Sequence, residues 1–272
     1  MTNQAGKDNK PKPSFRKSQL LRGLYALGSL LILLAVWQLL FALLKLPAFI
    51  LPSPKMVWDK FMIILLDGTW WHHLSWTLLE IFLGLLIGSL SAMLIGYGLS
   101  KVPALERLMA PFLVGSSSLP MVAVAPLLII WFGAGLGSKV LICALTVFFP
   151  VLVNVLVGLR ETPRELHELM RSLNASPWQR LSLLEFPAAL PVLLGGLRVG
   201  TTLSVIGAIV GELVSSDRGL GFLINVGRGQ FDTALVFVAV LSLIFMASVL
   251  YYGVLLLERR ALAWQTWRKD SL

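Results

Sequence analysis

Residues 161–198, ETPRELHELMRSLNASPWQRLSLLEFPAALPVLLGGLR, form the longest polar break in an otherwise apolar chain. Arg160, Arg164, Arg171 and Arg180 make it basic. Glu165 to Leu173 has helix-forming composition, and Thr162–Pro163 supplies a cap followed by a first-turn proline. Asn174 then interrupts. Asparagine tolerates left-handed backbone better than most residues, so a helix end or sharp turn is expected there. Ser176–Pro177 starts a second helix through Glu185, and Pro187 and Pro191 set the geometry of the return to apolar sequence. A structured basic loop of this length implies that something docks on it, because a plain connector can be far shorter.

The other chemistry-bearing residues lie inside apolar runs, where charge is costly and marks function by default. Glu80 and Glu212 are two such acids. Either they serve a pathway, or they sit near an interface or pair with a neighbouring Arg or Lys. Arg198 reads as an interfacial anchor or loop brace. The break Ser116-Ser-Ser-Leu-Pro120 has two readings. Ser116, Ser117, Ser118 and Met121 border a translocation path, or a proline-kinked helix has its freed carbonyls satisfied by serines. Asn154 and Thr201–Thr202 are weaker path candidates, and each also suits a helix–helix hydrogen bond.

Several functions are excluded. The chain has 272 residues, 57% hydrophobic and 14% charged, with a mean hydropathy of +0.81. Soluble domains are about 25% charged. The net charge of +9 does not indicate nucleic acid, because the basic residues cluster at the ends of apolar runs and not in a stripe with aromatics. Cys143 is the only cysteine, so no intrachain disulfide forms. His72, His73 and His167 build no metal site, and no HExxH, CxxC or GxSxG occurs. The in-membrane acids are too few and too scattered for an enzyme, so no catalytic residue is assigned.

The elements that must position these residues are membrane spans of about 20 apolar residues. Six are expected: Leu24–Leu44, Leu74–Leu99, Leu108–Phe132 with its SSSLP break, Val140–Val157, Val192–Val214 and Ala234–Leu257. Gly84, Gly88, Gly96 and Gly98 suit close helix contact. Pro52–Leu66 is too short to span and fits a surface amphipathic helix. Trp37, Trp58, Trp70, Trp71, Trp76 and Trp131 lie at or near span ends, as interfacial anchors do. Most of the 23 Lys and Arg fall before the first span, between the second and third, in the long loop and at the C-terminus. The positive-inside rule then puts both termini and the long loop in the cytoplasm. The fold class is all-α integral membrane. Residues 1–22 are expected to form a basic disordered tail that is retained, 23–262 a single transmembrane domain with its cytoplasmic loop at about 160–190, and 263–272 a C-terminal tail.

The loop resembles the EAA loop of bacterial ABC importer permeases: Glu-Ala-Ala, three residues, Gly, nine residues, Ile-x-Leu-Pro. Glu168 takes the Glu position, Asn174 the Gly position, and Leu184, Phe186 and Pro187 the closing triplet. Leu169 and Met170 replace the alanines. The remainder, over roughly residues 20–262, resembles the permeases of sulfonate, taurine, nitrate and thiamine-precursor type. ILPSP (Ile50–Pro54), APLLIIWFG (Ala125–Gly133), FFPVLVN (Phe148–Asn154), PAALPVLLGGLR (Pro187–Arg198), DRGLGFLI (Asp217–Ile224) and FDTALVF (Phe231–Phe237) carry it. LPMVAVAPLLIIWFG and FDTALVF are more similar to riboflavin- or pyrimidine-type transporters. Permeases of this branch often have a basic residue near the Glu80 position, so Glu80 is a departure.

The resemblance implies the type I ABC importer permease fold in a bacterial inner membrane. It implies a second permease copy, most simply an identical one, two cytoplasmic ATPase subunits and an extracytoplasmic solute-binding protein. Glu165, Glu168, Arg171, Asn174, Ala175, Ser176, Leu184 and Pro187 would couple to the ATPase, and Arg218 and Arg228 would either meet the binding protein or stay solvated. No G-x-x-x-x-G-K-[ST] loop occurs, and Gly133–Lys139 has the wrong spacing. The chain itself is therefore expected to hold no cofactor, with ATP and Mg bound by the partner ATPase. A stand-alone secondary transporter or channel is the competing reading. It calls for an inverted repeat and midplane charges, and neither is evident.

Overall fold

The computed structural model describes residues 15–44, 47–117 and 120–263. Among them the chain forms helices only: α1 (Phe15–Leu44), α2 (Pro54–Leu66), α3 (Thr69–Ser100), α4 (Pro103–Ser117), α5 (Met121–Phe132) and α6 (Leu136–Arg160). Then come α7 (Arg164–Ser172), α8 (Pro177–Arg180), a π turn (Leu181–Glu185), α9 (Phe186–Val214), α10 (Leu220–Gly229) and α11 (Thr233–Ala261). Among the described residues four helical stretches are long and apolar enough to cross a membrane: 69–100, 136–160, 177–214 and 233–261. The apolar parts of α1 and α5 are shorter. The interrupted third span falls on two helices, α4 ending at Ser117 and α5 starting at Met121.

The core is a three-helix stack in which α6 lies between α3 and α9. Glycine makes that approach possible. A Cβ built on Gly84 would lie 2.2 Å from the Cys143 Cβ, and one on Gly207 would lie 2.8 Å from the Cys143 Cα. Cys143 is thus clasped from both sides and fully buried, as a small core hydrophobe. Gly88 and Gly96 press on α6 in the same way, whereas Gly98 faces open space. Trp70 departs from the anchor reading. It is buried, and its indole Nε1 donates to Ser242 Oγ at 2.8 Å. Trp37 Nε1 donates to the Pro52 carbonyl at 3.1 Å, seating α1 on the entry to α2. The short helix expected before the second span is α2, capped by Ser53, whose Oγ accepts from Met56 N–H at 3.2 Å.

The helix directions define two ends: a loop end, which carries α7 and α8, and a far end opposite it. Residues 220–229 form the helix α10. It buries Leu220 and Leu223 against α9 and α11.

Candidate functional site

At the loop end, α7 is a surface helix with Glu165 in its first turn and Arg171 in its last, both favourable to the helix dipole. It starts one residue later than the sequence indicated. Pro163 occupies the cap position, and the buried Thr162 hydroxyl makes no hydrogen bond. Leu166, Leu169 and Leu173 are 40%, 53% and 67% exposed. Their spacing puts them on one helical face. Glu168 and Arg171 are also exposed. Trp178 adds a further exposed apolar group at 73%. Exposed apolar surface rimmed by charge marks an interaction face.

The turn after α7 has the geometry expected of Asn174, whose φ is +54°. The N–H groups of Leu173, Asn174 and Ala175 donate back to the carbonyls of Leu169, Arg171 and Met170, at 3.0, 3.0 and 2.9 Å. Ala175 is buried under the turn, and Arg180 Nε donates to its carbonyl at 3.1 Å. Ser176 opens α8 with a reciprocal cap: Gln179 N–H donates to Ser176 Oγ at 3.2 Å, and Ser176 N–H to Gln179 Oε1 at 2.8 Å. Leu184 lies half-buried in the π turn. One helical run continues from 177 to 214 through Pro187 and Pro191. A π turn precedes Pro187. Phe186 N–H bonds the Leu181 carbonyl, and this wider turn just before Pro187 accommodates a residue with no N–H to give.

Sequence reasoning missed what holds this loop. Glu185 is buried and takes Lys101 Nζ on both oxygens, at 2.6 and 2.8 Å. His167 Nδ1 on α7 lies 3.9 Å from it. Arg160 pairs with Glu106 beside them. A cavity of about 110 Å³ sits among these groups. In the sequence Lys101 and Arg160 were basic residues of the loop-side connections, and nothing local identified their partners.

The proposed path residues separate. Ser116 and Met121 line a cleft of about 270 Å³ with Thr146, Phe149 and Leu203. Ser117 ends α4, and Ser118 lies outside the described residues. Thr202 is exposed. Asn154 Nδ2 donates within its own helix to the Pro150 carbonyl at 2.8 Å, and Thr201 to Leu197 at 2.8 Å, so neither makes the interhelical bond considered for it. Arg198 braces α9 to α11 through Glu258 at 3.2 Å.

Glu212 lies elsewhere, in a closed network at the far end. It is fully buried. Thr77 Oγ1 donates to its Oε1 at 2.6 Å, and Gly221 N–H to its Oε2 at 2.5 Å. Leu220 N–H donates to Thr77 Oγ1 at 2.8 Å, and Gly219 N–H to His73 Nδ1 at 3.0 Å. Gly219 has φ +102°, and a Cβ there would lie 2.0 Å from Glu212 Oε1, so only glycine fits. The acids are not scattered as expected. Glu80 and Glu212 come together around Lys139, whose Nζ is 3.7 Å from Glu80 and 2.6 Å from Ser216 Oγ. The outermost pair is Asp217 and Arg218, joined by two bonds of 2.9 Å. The guanidinium pulls the exposed Asp217 carboxyl down to about 2. Arg218 also lies 4.3 Å over the Trp76 ring, a cation–π contact. No described group of three or more His, Cys, Asp or Glu could hold a metal ion.

Comparison with known proteins agrees with this architecture. Residues 84–262 match the family model described as binding-protein-dependent transport system inner membrane component. The chain is 46% identical to the riboflavin transport system permease protein of Chloroflexus aurantiacus over 87% of its length and 88% of that protein. It is 33% identical to the formylaminopyrimidine transport permease protein of Halalkalibacterium halodurans, over 86% and 93%. A solved inward-facing MetNI methionine ABC transporter chain superposes with a TM-score of 0.58 at 21% identity, covering 74% of this chain and 97% of that one; it supports the fold.

Proposed function

The chain belongs to the binding-protein-dependent transport system inner membrane component family, and on that premise we propose that it is the permease subunit of an ATP-driven importer of a small solute. Two copies form the pathway. Two separate ATPase subunits hold ATP and Mg, and an extracytoplasmic binding protein delivers the solute. The loop end and both termini face the cytoplasm. The observation that carries this reading is α7 itself, whose exposed Leu166, Leu169 and Leu173 sit among Glu165, Glu168 and Arg171. Closure of the ATPase pair would move this helix. Such coupling needs a two-state element that nucleotide binds unequally. The Glu185–Lys101 tie suits transmission of that movement to α3.

The named relatives support a solute of the riboflavin or pyrimidine kind, with organic sulfonates and nitrate as the wider range of the resemblance. Reconstitution tests the class. The chain alone in ATP-free liposomes should pass no riboflavin, and the chain with its co-expressed ATPase and binding protein should accumulate solute only with ATP. Sustained ATP-free flux through the chain alone would make it a secondary transporter or channel.

A further inference from the structure

We infer that two copies of this chain meet through one face, made of the ends of α4 and α5 at Ser116 and Met121 and of Val199, Thr202 and Ile206 on α9, and that the cleft on this face is half of a solute path which only the second copy closes. The inference rests on the importer reading for the number of copies, and it assigns the surface through which they pair.

In a bilayer, exposed apolar side chains do not by themselves mark an interface, because lipid covers them as well as protein does. Polar groups at mid-depth do mark one. This face carries two such features. The first is the break in the third span. α4 ends at Ser117 and α5 starts at Met121, near the middle of the span expected over 108–132. Helix ends leave backbone groups without partners in the helix, and at that depth such groups are tolerated only against protein or water. Ser116 and Met121 line the cleft of about 270 Å³ together with Thr146, Phe149, Leu203 and Ile206.

The second feature is Thr202. It is exposed near the middle of the span expected over 192–214, and its hydroxyl makes no hydrogen bond among the described residues. Exposed hydroxyls on other spans behave differently. Ser91 on α3 donates to the Ile87 carbonyl at 2.7 Å, and Ser248 on α11 donates to the Ile244 carbonyl at 2.8 Å. Each is satisfied within its own helix and can face lipid. Val199 and Ile206 are exposed as well, and their spacing puts them on the same side of α9 as Thr202. Ile206 also lines the cleft. The break and Thr202 thus share one face at one depth. A two-fold contact sets the same patch of each copy against the other. It would bring the two Thr202 hydroxyls toward each other and enclose the two clefts in one passage, whose water serves the helix ends.

The test is cross-linking of the full-length chain in its native membranes with a short bismaleimide. Thr202→Cys and Val199→Cys place a thiol on the proposed face, and Ile244→Cys places one on an exposed position of α11. The native Cys143 is fully buried and does not compete. The expected result is a cross-linked dimer of the chain with Thr202→Cys and with Val199→Cys, and none with Ile244→Cys. Adding Thr202→Trp to Val199→Cys should abolish the dimer, because the ring wedges the face apart. No dimer from either α9 position, a dimer from Ile244→Cys alone, or equal dimer from all three positions, as random encounter gives, would overturn the inference. The assay needs no ATP, so its failure leaves the importer reading to stand or fall separately, on the ATP-dependence of uptake.

Discussion

Lys101 and Glu185 meet at 2.6 Å across 84 residues of sequence. Lys101 caps the loop end of α3, and Glu185 ends the π turn that leads into α9. The pair therefore ties the surface helices to two helices of the core. Glu185 is buried, while the Lys101 side chain is 45% exposed. Removing the lysine leaves a buried carboxylate without its ion-pair partner, with His167 Nδ1 at 3.9 Å.

Lys101→Met should accordingly destabilise the loop end by about 1 kcal/mol, a charge-assisted bond discounted for the solvent around the lysine. Hydrogen exchange in residues 164–185 should rise, with the rest of the protein unchanged. The exchanged pair Lys101→Glu with Glu185→Lys should restore much of the protection. Equal protection in wild type and Lys101→Met would show that the pair does not hold the loop.

Asn174 has φ +54°, where a side chain branched at Cβ costs about 1–2 kcal/mol. Asn174→Gly should therefore be neutral or slightly stabilising, and Asn174→Val should make the turn cleavable by trypsin at Arg171 or Arg180. Identical digestion of the two variants would contradict the geometry.

Thr77→Val would remove a donor to Glu212 and an acceptor for Leu220 N–H at once. Leaving two buried groups unpaired costs about 2–6 kcal/mol. Thermal stability in detergent should fall, and exchange should increase first at residues 219–221. Thr77→Ser should keep most of the stability. A neutral Thr77→Val would mean that water replaces the hydroxyl.

Gly84→Val places side-chain atoms where Cys143 already sits. The variant should fail to accumulate in the membrane. Gly98→Ala, with nothing near its Cβ, should behave as wild type. The Cys143 thiol reports on the same packing, because it is fully buried and should react with maleimide only after unfolding. Normal accumulation of Gly84→Val would contradict the three-helix stack.

Asp217 is held at about 2 by Arg218, below its ordinary 3.8. A depressed carboxyl gives a contribution that is present above the unfolded value and lost as pH falls through the folded one. The Asp217–Arg218 pair should therefore be indifferent to pH between about 5 and 8 and should weaken only between about 4 and 2. Carbon NMR of the Asp217 carboxyl should show that low midpoint, and Arg218→Met should move it back toward 3.8. An ordinary midpoint in the wild type would mean that the pair does not form in solution.

The spans, the surface helix α2 and the turn at Asn174 were legible because each follows from local properties: run length, amphipathic pattern and the backbone tolerance of asparagine. Glu80 and Glu212 were legible as costly, but not as neighbours, because they are far apart in sequence and no local pattern carries the α3–α9 contact. Lys139 is buried beside them, a placement that no local pattern marks. The run through Pro187 was hidden because a π turn has no clear sequence sign. The helix α10 was not legible, since it is held by burial of Leu220 and Leu223 more than by its own propensity.

The most direct test of the central claim is a mild-detergent pull-down of the tagged chain from its native host, with mass spectrometry of the proteins recovered. A phosphate-loop ATPase should come with the wild type. It should be lost with Glu168→Lys, which reverses a charge on the exposed face of α7 and leaves the core intact. An ATPase retained by Glu168→Lys at normal membrane abundance would contradict the docking role of α7, and recovery of the wild-type chain without any ATPase would contradict the importer itself.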